Sequence, residues 1–141
     1  MKLIKIFYFF LLFAIIISCE ENIVTECEDE NQNTGTLTKF SDIQKDVFDI
    51  SCATSGCHAG ASSQAGLQLT SGDSYAELVN NTSVLNPNFK LVEPGNSENS
   101  FLIKMLKHIG EGTLQMPPSG KLSNSAIDSI SAWIDRGALN N

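Results

Sequence analysis

The amino-acid sequence predicts a small all-α domain over residues 37–141, with helices joined by long loops. Two observations support this fold class. Apolar residues recur at spacings of three and four in four separate segments, and no segment alternates apolar and polar residues as a half-buried strand does. Loops rich in Gly, Pro, Asn and Ser separate the segments. A domain of this size with so much loop has a thin core, which a bound apolar cofactor would help to stabilise.

The first and last helices are expected at the two ends of the domain. The first covers about 41–50, where Ser41 and Gln44 match a capping box. Its apolar face consists of Ile43, Val47 and Ile50. The last helix begins at Ser123, a good N-cap, and ends at Gly137. Its apolar face consists of Ile127, Ile130 and Ile134, with Trp133 beside it.

Two further helices are expected between them. A short one covers about 74–80, with Asp73 available as its cap. A longer one covers about 98–109 and carries a wide apolar stripe. The stripe consists of Leu102, Met105, Leu106 and Ile109.

Residues 1–18 have the layout of a secretory signal. Lys2 and Lys5 precede an apolar run over 6–17, and Ser18 follows it directly before Cys19. This run is short for a transmembrane helix, although an uncleaved anchor helix is the alternative. The residues from 16 to Cys19, Ile-Ile-Ser-Cys, resemble a bacterial lipobox. That resemblance implies cleavage before Cys19, lipidation of its thiol and attachment to a membrane of the cell envelope, facing the periplasm or the exterior.

Residues 20–36, which follow Cys19, contain six carboxylates, no basic residue and only two aliphatic ones. Such a stretch cannot bury enough apolar surface to order itself, so we interpret 19–36 as a lipidated cysteine and a flexible acidic tether. From Leu37 onward there are ten acids and seven bases. Because no basic patch is present, the sequence gives no indication of a nucleic-acid partner.

Four cysteines are present, Cys19, Cys27, Cys52 and Cys57. If Cys19 is acylated, three remain, and an odd number cannot all pair within the chain. A disulfide framework is therefore a poor first hypothesis. Cys27 is left open: it is either free in the tether or bridged to another chain.

The segment from Cys52 to His58, Cys-Ala-Thr-Ser-Gly-Cys-His, carries the most specific chemistry. Two thiols followed at once by a histidine are typical of c-type haem attachment, usually with two residues between the cysteines. Each thiol adds across one haem vinyl group, and the adjacent imidazole reaches the iron. Here the spacer has four residues, and Gly56 supplies the backbone freedom needed where the chain turns back.

Two other interpretations of these residues stay open. Cys52 and Cys57 could form a local disulfide in an oxidising compartment, with His58 an incidental neighbour. The same three residues and His108 could hold zinc, although structural zinc sites space their ligands by two or more residues.

Met116 is the candidate for the second axial ligand of a haem. It lies 58 residues after His58 in the sequence Met-Pro-Pro, between the third and last helices. A thioether is a soft, neutral ligand, and His/Met ligation raises the haem potential. The prolines stiffen the loop that presents it. His108 is the runner-up, and Met105 suits the role of core filler better.

The chain also resembles the small class I cytochrome c domains, in particular the planctomycete-type group, over nearly all of residues 40–138. The resemblance rests on the haem and methionine motifs and on weaker strings between them: Phe48-Asp49-Ile50, Cys57-His58-Ala59-Gly60, Gly66-Leu67-Gln68-Leu69, Tyr75-Ala76-Glu77-Leu78-Val79, Pro94-Gly95, Ser100-Phe101-Leu102, Met116-Pro117-Pro118-Ser119-Gly120-Lys121-Leu122-Ser123 and Trp133-Ile134. It implies an all-α fold in which the N- and C-terminal helices pack across each other around a haem.

The expected activity is single-electron transfer by one covalent haem c, with redox proteins as partners and no substrate transformed. Cys52 and Cys57 would attach the haem, and His58 and Met116 would be its axial ligands. Two rival functions remain. One is a haem component of a peroxidase-like enzyme, which needs an open sixth position. The other is a cofactor-free envelope lipoprotein with a Cys52–Cys57 disulfide.

Overall fold

Helices and loops make up the part of the chain that the computed structural model describes, residues 39–110 and 114–141. The predicted signal peptide, Cys19, the acidic tether and Cys27 lie outside it. Within it, the regular elements are a composite helix α1 over 40–51, a 3-10 turn at Gln64–Gly66, α2 at Ser74–Leu78, α3 at Phe101–Lys107 and α4 at Asn124–Asp135. Strand pairing in these ranges is limited to isolated bridges, such as Thr82 with Lys90. No helix in them is long and apolar enough to cross a membrane.

Helix α1 differs from the regular helix that the sequence predicts. It consists of α-helical Phe40–Ile43, π-helical Gln44–Phe48 and α-helical Asp49–Ser51. The wider π turn shifts the phase of the helix, so Phe48 is buried while Ile50 is 67% exposed. Ile43 and Val47 are buried as predicted, and the placement of Ile50 on the buried face was wrong.

The predicted capping box at the start of α1 was also wrong. The helix begins at Phe40, and Lys39 precedes it with no side-chain cap. Gln44, expected to reach back to the backbone of Ser41, is instead 6% exposed and points into the domain. Its amide bonds to groups of two other segments, which are described below.

Helix α4 agrees closely with the prediction. The amide of Ala126 donates to Ser123 Oγ at 3.2 Å, so Ser123 is the N-cap. Beyond the last helical residues, Gly137 has a φ of +99°, which favours glycine and ends the helix. The predicted apolar residues, Ile127, Ile130 and Ile134, are all buried, as is Trp133.

The first and last helices contact each other. The ring of Phe40 in α1 lies 5.1 Å from that of Trp133 in α4, centroid to centroid. The C-terminal residues bond to both helices. The amide of Ser41 donates to the carbonyl of Asn141 at 2.9 Å, and Trp133 Nε1–H donates to the carbonyl of Leu139 at 2.8 Å. Helix α3 also packs against α4.

Helices α2 and α3 are shorter than predicted. Asp73 precedes α2 without making a side-chain cap, since its carboxylate accepts from the Thr70 hydroxyl. Helix α3 ends where His108 adopts a left-handed φ of +53°. The chain therefore leaves the helix before Ile109, which is 49% exposed, so its place in the apolar stripe was wrong. Met105 and Leu106 are buried as predicted.

Candidate functional site

The segment that follows α1 turns back on itself between Cys52 and His58. Cys52 is the C-cap of α1 and donates its amide to the carbonyl of Phe48 at 3.0 Å. The amide of His58 then donates to the carbonyl of Cys52 at 3.1 Å, which closes the loop. Gly56 has a φ of +81°, as the predicted turn requires. The four-residue spacer is thus taken up in a closed turn that returns His58 to the end of the helix.

Cys52 and Cys57 are free thiols in this structure. Cys52 is half-buried and Cys57 is exposed. The pKa of Cys52 is raised from 9.0 to about 11, mainly by burial and to a smaller extent by the charge of Cys57. Cys52 is therefore protonated at neutral pH.

The imidazole of His58 is held by one hydrogen bond. Its Nδ1 lies 3.2 Å from the carbonyl oxygen of Leu67. A carbonyl oxygen only accepts, so Nδ1 carries the proton and donates it, which leaves the lone pair on Nε2. Nε2 has no hydrogen-bond partner within residues 39–110 and 114–141. Histidines that bind metals are usually oriented in this way, with the second ring nitrogen bound to a carbonyl or carboxylate.

The backbone of His58 is fixed to the same segment. Its carbonyl accepts a hydrogen bond from the amide of Leu69 at 2.8 Å. Residues 67–69 are therefore attached to His58 at two points, through its side chain and its backbone.

Met116 is half-buried and packs against the hydrophobic core, as Cys52 does. Its amide donates to the carbonyl of Met105 at 3.2 Å, which ties the methionine loop to the last turns of α3. Met105 is buried in the core, where the sequence places it. His108, the alternative ligand, is exposed at the end of α3.

The surroundings of these residues offer no second ligand set for a cation among the described residues. In the described ranges, no three His, Cys, Asp or Glu side chains converge in a way that could hold a metal ion, so the zinc set with His108 is not formed there. A cavity of about 270 Å³ lies between α1 and the C-terminal residues, and is lined by Phe40, Ser41, Gln44, Lys45, Asp49, Ser71, Gly72, Asn140 and Asn141. None of the residues of the Cys52–His58 segment lines it.

The sequence did not indicate two residues of the segments next to His58, Leu67 and Gln44, as partners in hydrogen bonds. Leu67 acts through its backbone carbonyl, which no side-chain pattern reveals. Gln44 donates a hydrogen bond to the carbonyl of Leu69. The only indication of this role in the sequence is that Gln44 is a polar residue next to the apolar positions of the first helix. The sequence pattern alone favours a capping role for this glutamine.

In comparisons with known proteins, no family model, no curated protein and no solved structure matches the chain.

Proposed function

We propose that this domain transfers single electrons through one covalently bound c-type haem. Cys52 and Cys57 would hold the haem through thioether bonds, and His58 and Met116 would be its axial ligands. The observation that supports this most directly is the imidazole of His58. Its Nδ1–H donates to the Leu67 carbonyl, its Nε2 has no hydrogen-bond partner among the described residues, and it directly follows the second of two free thiols.

The domain has partly buried apolar side chains that an apolar cofactor could cover. Several partly buried apolar side chains pack on the core and keep part of their surface in solvent: Cys52, Ala53, Leu67, Leu102, Met116 and Leu122. Covering such surface contributes roughly 25 cal/mol per Å². In a thioether, the Cys52 sulfur would be bonded to one carbon of a haem vinyl group and the thiol proton would have gone to the other carbon.

A bound haem would supply an iron that changes between the ferrous and ferric states. The protein sets the balance between these states through the ligands. The hydrogen bond from His58 Nδ1 to the Leu67 carbonyl makes the imidazole more basic, which favours ferric iron. The soft thioether of Met116 favours ferrous iron. If His58 and Met116 both bind the iron, no position would be left for a substrate, so the expected reaction is outer-sphere electron transfer.

The proposed location of this domain rests on sequence alone. Cys19, at the end of the apolar run, would carry the lipid and attach the chain to a membrane of the cell envelope. The acidic segment over 20–36 would separate the haem domain from that membrane by up to about 55 Å when extended. Redox proteins in the same compartment would be the partners.

Substitution of Met116 tests the ligand set. Ferric wild-type protein should show the weak near-infrared band of sulfur bound to iron, and Met116→Ala should abolish this band and lower the midpoint potential. Met105→Leu is the matched control, because it removes the buried thioether of α3 and conserves volume. A band that survives in Met116→Ala and disappears in Met105→Leu would contradict the assignment of Met116.

A further inference from the structure

The side chain of Gln44 lies in a buried hydrogen-bond network that joins three segments. Its Nε2 donates to the carbonyl of Leu69 at 2.9 Å and to Asp49 Oδ1 at 2.6 Å. Its Oε1 accepts from the hydroxyl of Ser74, the first residue of α2. Gln44 and Ser74 are 6% and 1% exposed, so these groups have little access to water that could replace the bonds. The amide thus connects the π turn of α1, residues 67–69 and α2.

Residues 67–69 carry this connection to His58. The carbonyl of Leu69 accepts from Gln44, while its amide donates to the carbonyl of His58 at 2.8 Å. Two residues earlier, the carbonyl of Leu67 accepts from His58 Nδ1 at 3.2 Å. Gln44 therefore holds one side of a short segment whose other side orients the imidazole.

We propose that Gln44 is a positioning residue for His58, acting through residues 67–69. This inference rests on the proposed function in so far as His58 is an iron ligand. The distance from Nδ1 to the Leu67 carbonyl is at the long end of the range for N–H···O hydrogen bonds. A small displacement of Leu67 therefore weakens this bond, and removal of the Gln44 amide permits such a displacement because it leaves the Leu69 carbonyl without its donor. A weaker bond makes the imidazole less basic and stabilises ferric iron less.

Two substitutions of Gln44 test this inference in the full-length protein. Gln44→Met and Gln44→Leu both remove the Nε2–H donor to Leu69 and leave no polar group that could replace it. The readouts are the midpoint potential and, by NMR of the diamagnetic ferrous protein, the hydrogen-exchange rate of the His58 Nδ1–H. We expect a higher potential and exchange roughly five- to tenfold faster, the factor for one lost hydrogen bond of ordinary strength.

Two controls separate positioning from a general loss of stability. Ser74→Ala removes one bond of the same network and keeps the donor to Leu69. Ser97→Ala removes one hydrogen bond elsewhere, since the hydroxyl of Ser97 donates to Asp135 Oδ2 at 2.9 Å. Both controls should keep the wild-type potential and exchange rate. Equal changes in the controls, unchanged values in the Gln44 variants, or loss of the folded protein in both Gln44 variants would overturn the inference.

The proposed function and this inference fail in different ways. Wild-type protein without covalent haem would refute the function. The Nδ1–H exchange rate, measured on that same haem-free chain, would still decide whether Gln44 orients His58. Haem-loaded protein whose His58 is unaffected by Gln44 substitution would refute only the inference.

Discussion

The two thiols of the motif should differ strongly in reactivity when the protein is made without haem. Only the thiolate attacks an alkylating reagent, and the pKa of Cys52 is raised to about 11. At pH 8 about 0.1% of Cys52 is then ionised, against about 10% of a thiol with the ordinary pKa of 9.0. Cys52 should therefore react about 100-fold more slowly than an ordinary thiol, before its partial burial slows it further. Cys57 is exposed and should be labelled first.

Peptide mass spectrometry after timed exposure to iodoacetamide measures the two rates separately. The Cys52 rate should rise about tenfold per pH unit from pH 8 to 10 and level off only near pH 11. Cys57→Ser should lower the pKa of Cys52 only in part, because burial is the larger cause and remains. A Cys52 rate that levels off near pH 9, or that matches the rate of Cys57, would show that the thiol is not buried as described.

Three further predictions concern stability and the anchor. Folding raises the pKa of Cys52, so the stabilisation that the thiol gives the haem-free protein is present below pH 9 and is lost as the pH rises towards 11. Between these pH values, the Tm of the wild type should fall more than the Tm of Cys52→Ala. Parallel curves of Tm against pH would contradict this. Gly56→Ala should destabilise the domain by about 1–2 kcal/mol in urea unfolding, because alanine is strained at the φ of +81° found at this position. A steric clash does not contribute, since an added Cβ would meet no atom within 4 Å. An unchanged unfolding midpoint would refute the turn. Cys19→Ser should remove radiolabelled fatty acid and membrane partitioning while the haem spectrum persists, whereas a wild type that carries no label and begins at Met1 would contradict the lipobox.

The sequence predicted the last helix better than the first, and the reason is local. In α4 the cap, the apolar spacing and the terminating glycine all agree, so the segment specifies its own boundaries. In α1 a π turn changes the phase after Ile43, and bonds to Leu69 and Ser74 turn Gln44 inward. These bonds come from residues 25 and 30 positions away, and no local pattern contains them.

The candidate site could likewise be predicted only in part. Two thiols, an imidazole and a thioether could be named from the sequence because their chemistry lies in the side chains and their spacing. The group that orients the imidazole is the main-chain carbonyl of Leu67, and any residue could supply it. Gln44 donates to the carbonyl of Leu69 and is connected to His58 through the folded segment 67–69. Backbone contacts of this kind become visible only once the chain is folded.

Covalent attachment of haem is the central claim, and extraction with acid acetone tests it most directly. The full-length protein is produced in cells that contain the haem-attachment machinery, extracted, and examined by its pyridine haemochrome spectrum, beside a variant with both Cys52→Ser and Cys57→Ser. The account predicts one haem per chain retained by the wild type, and haem removed from the double variant. Haem that washes out of the wild type, or a wild type that never acquires haem, would contradict it.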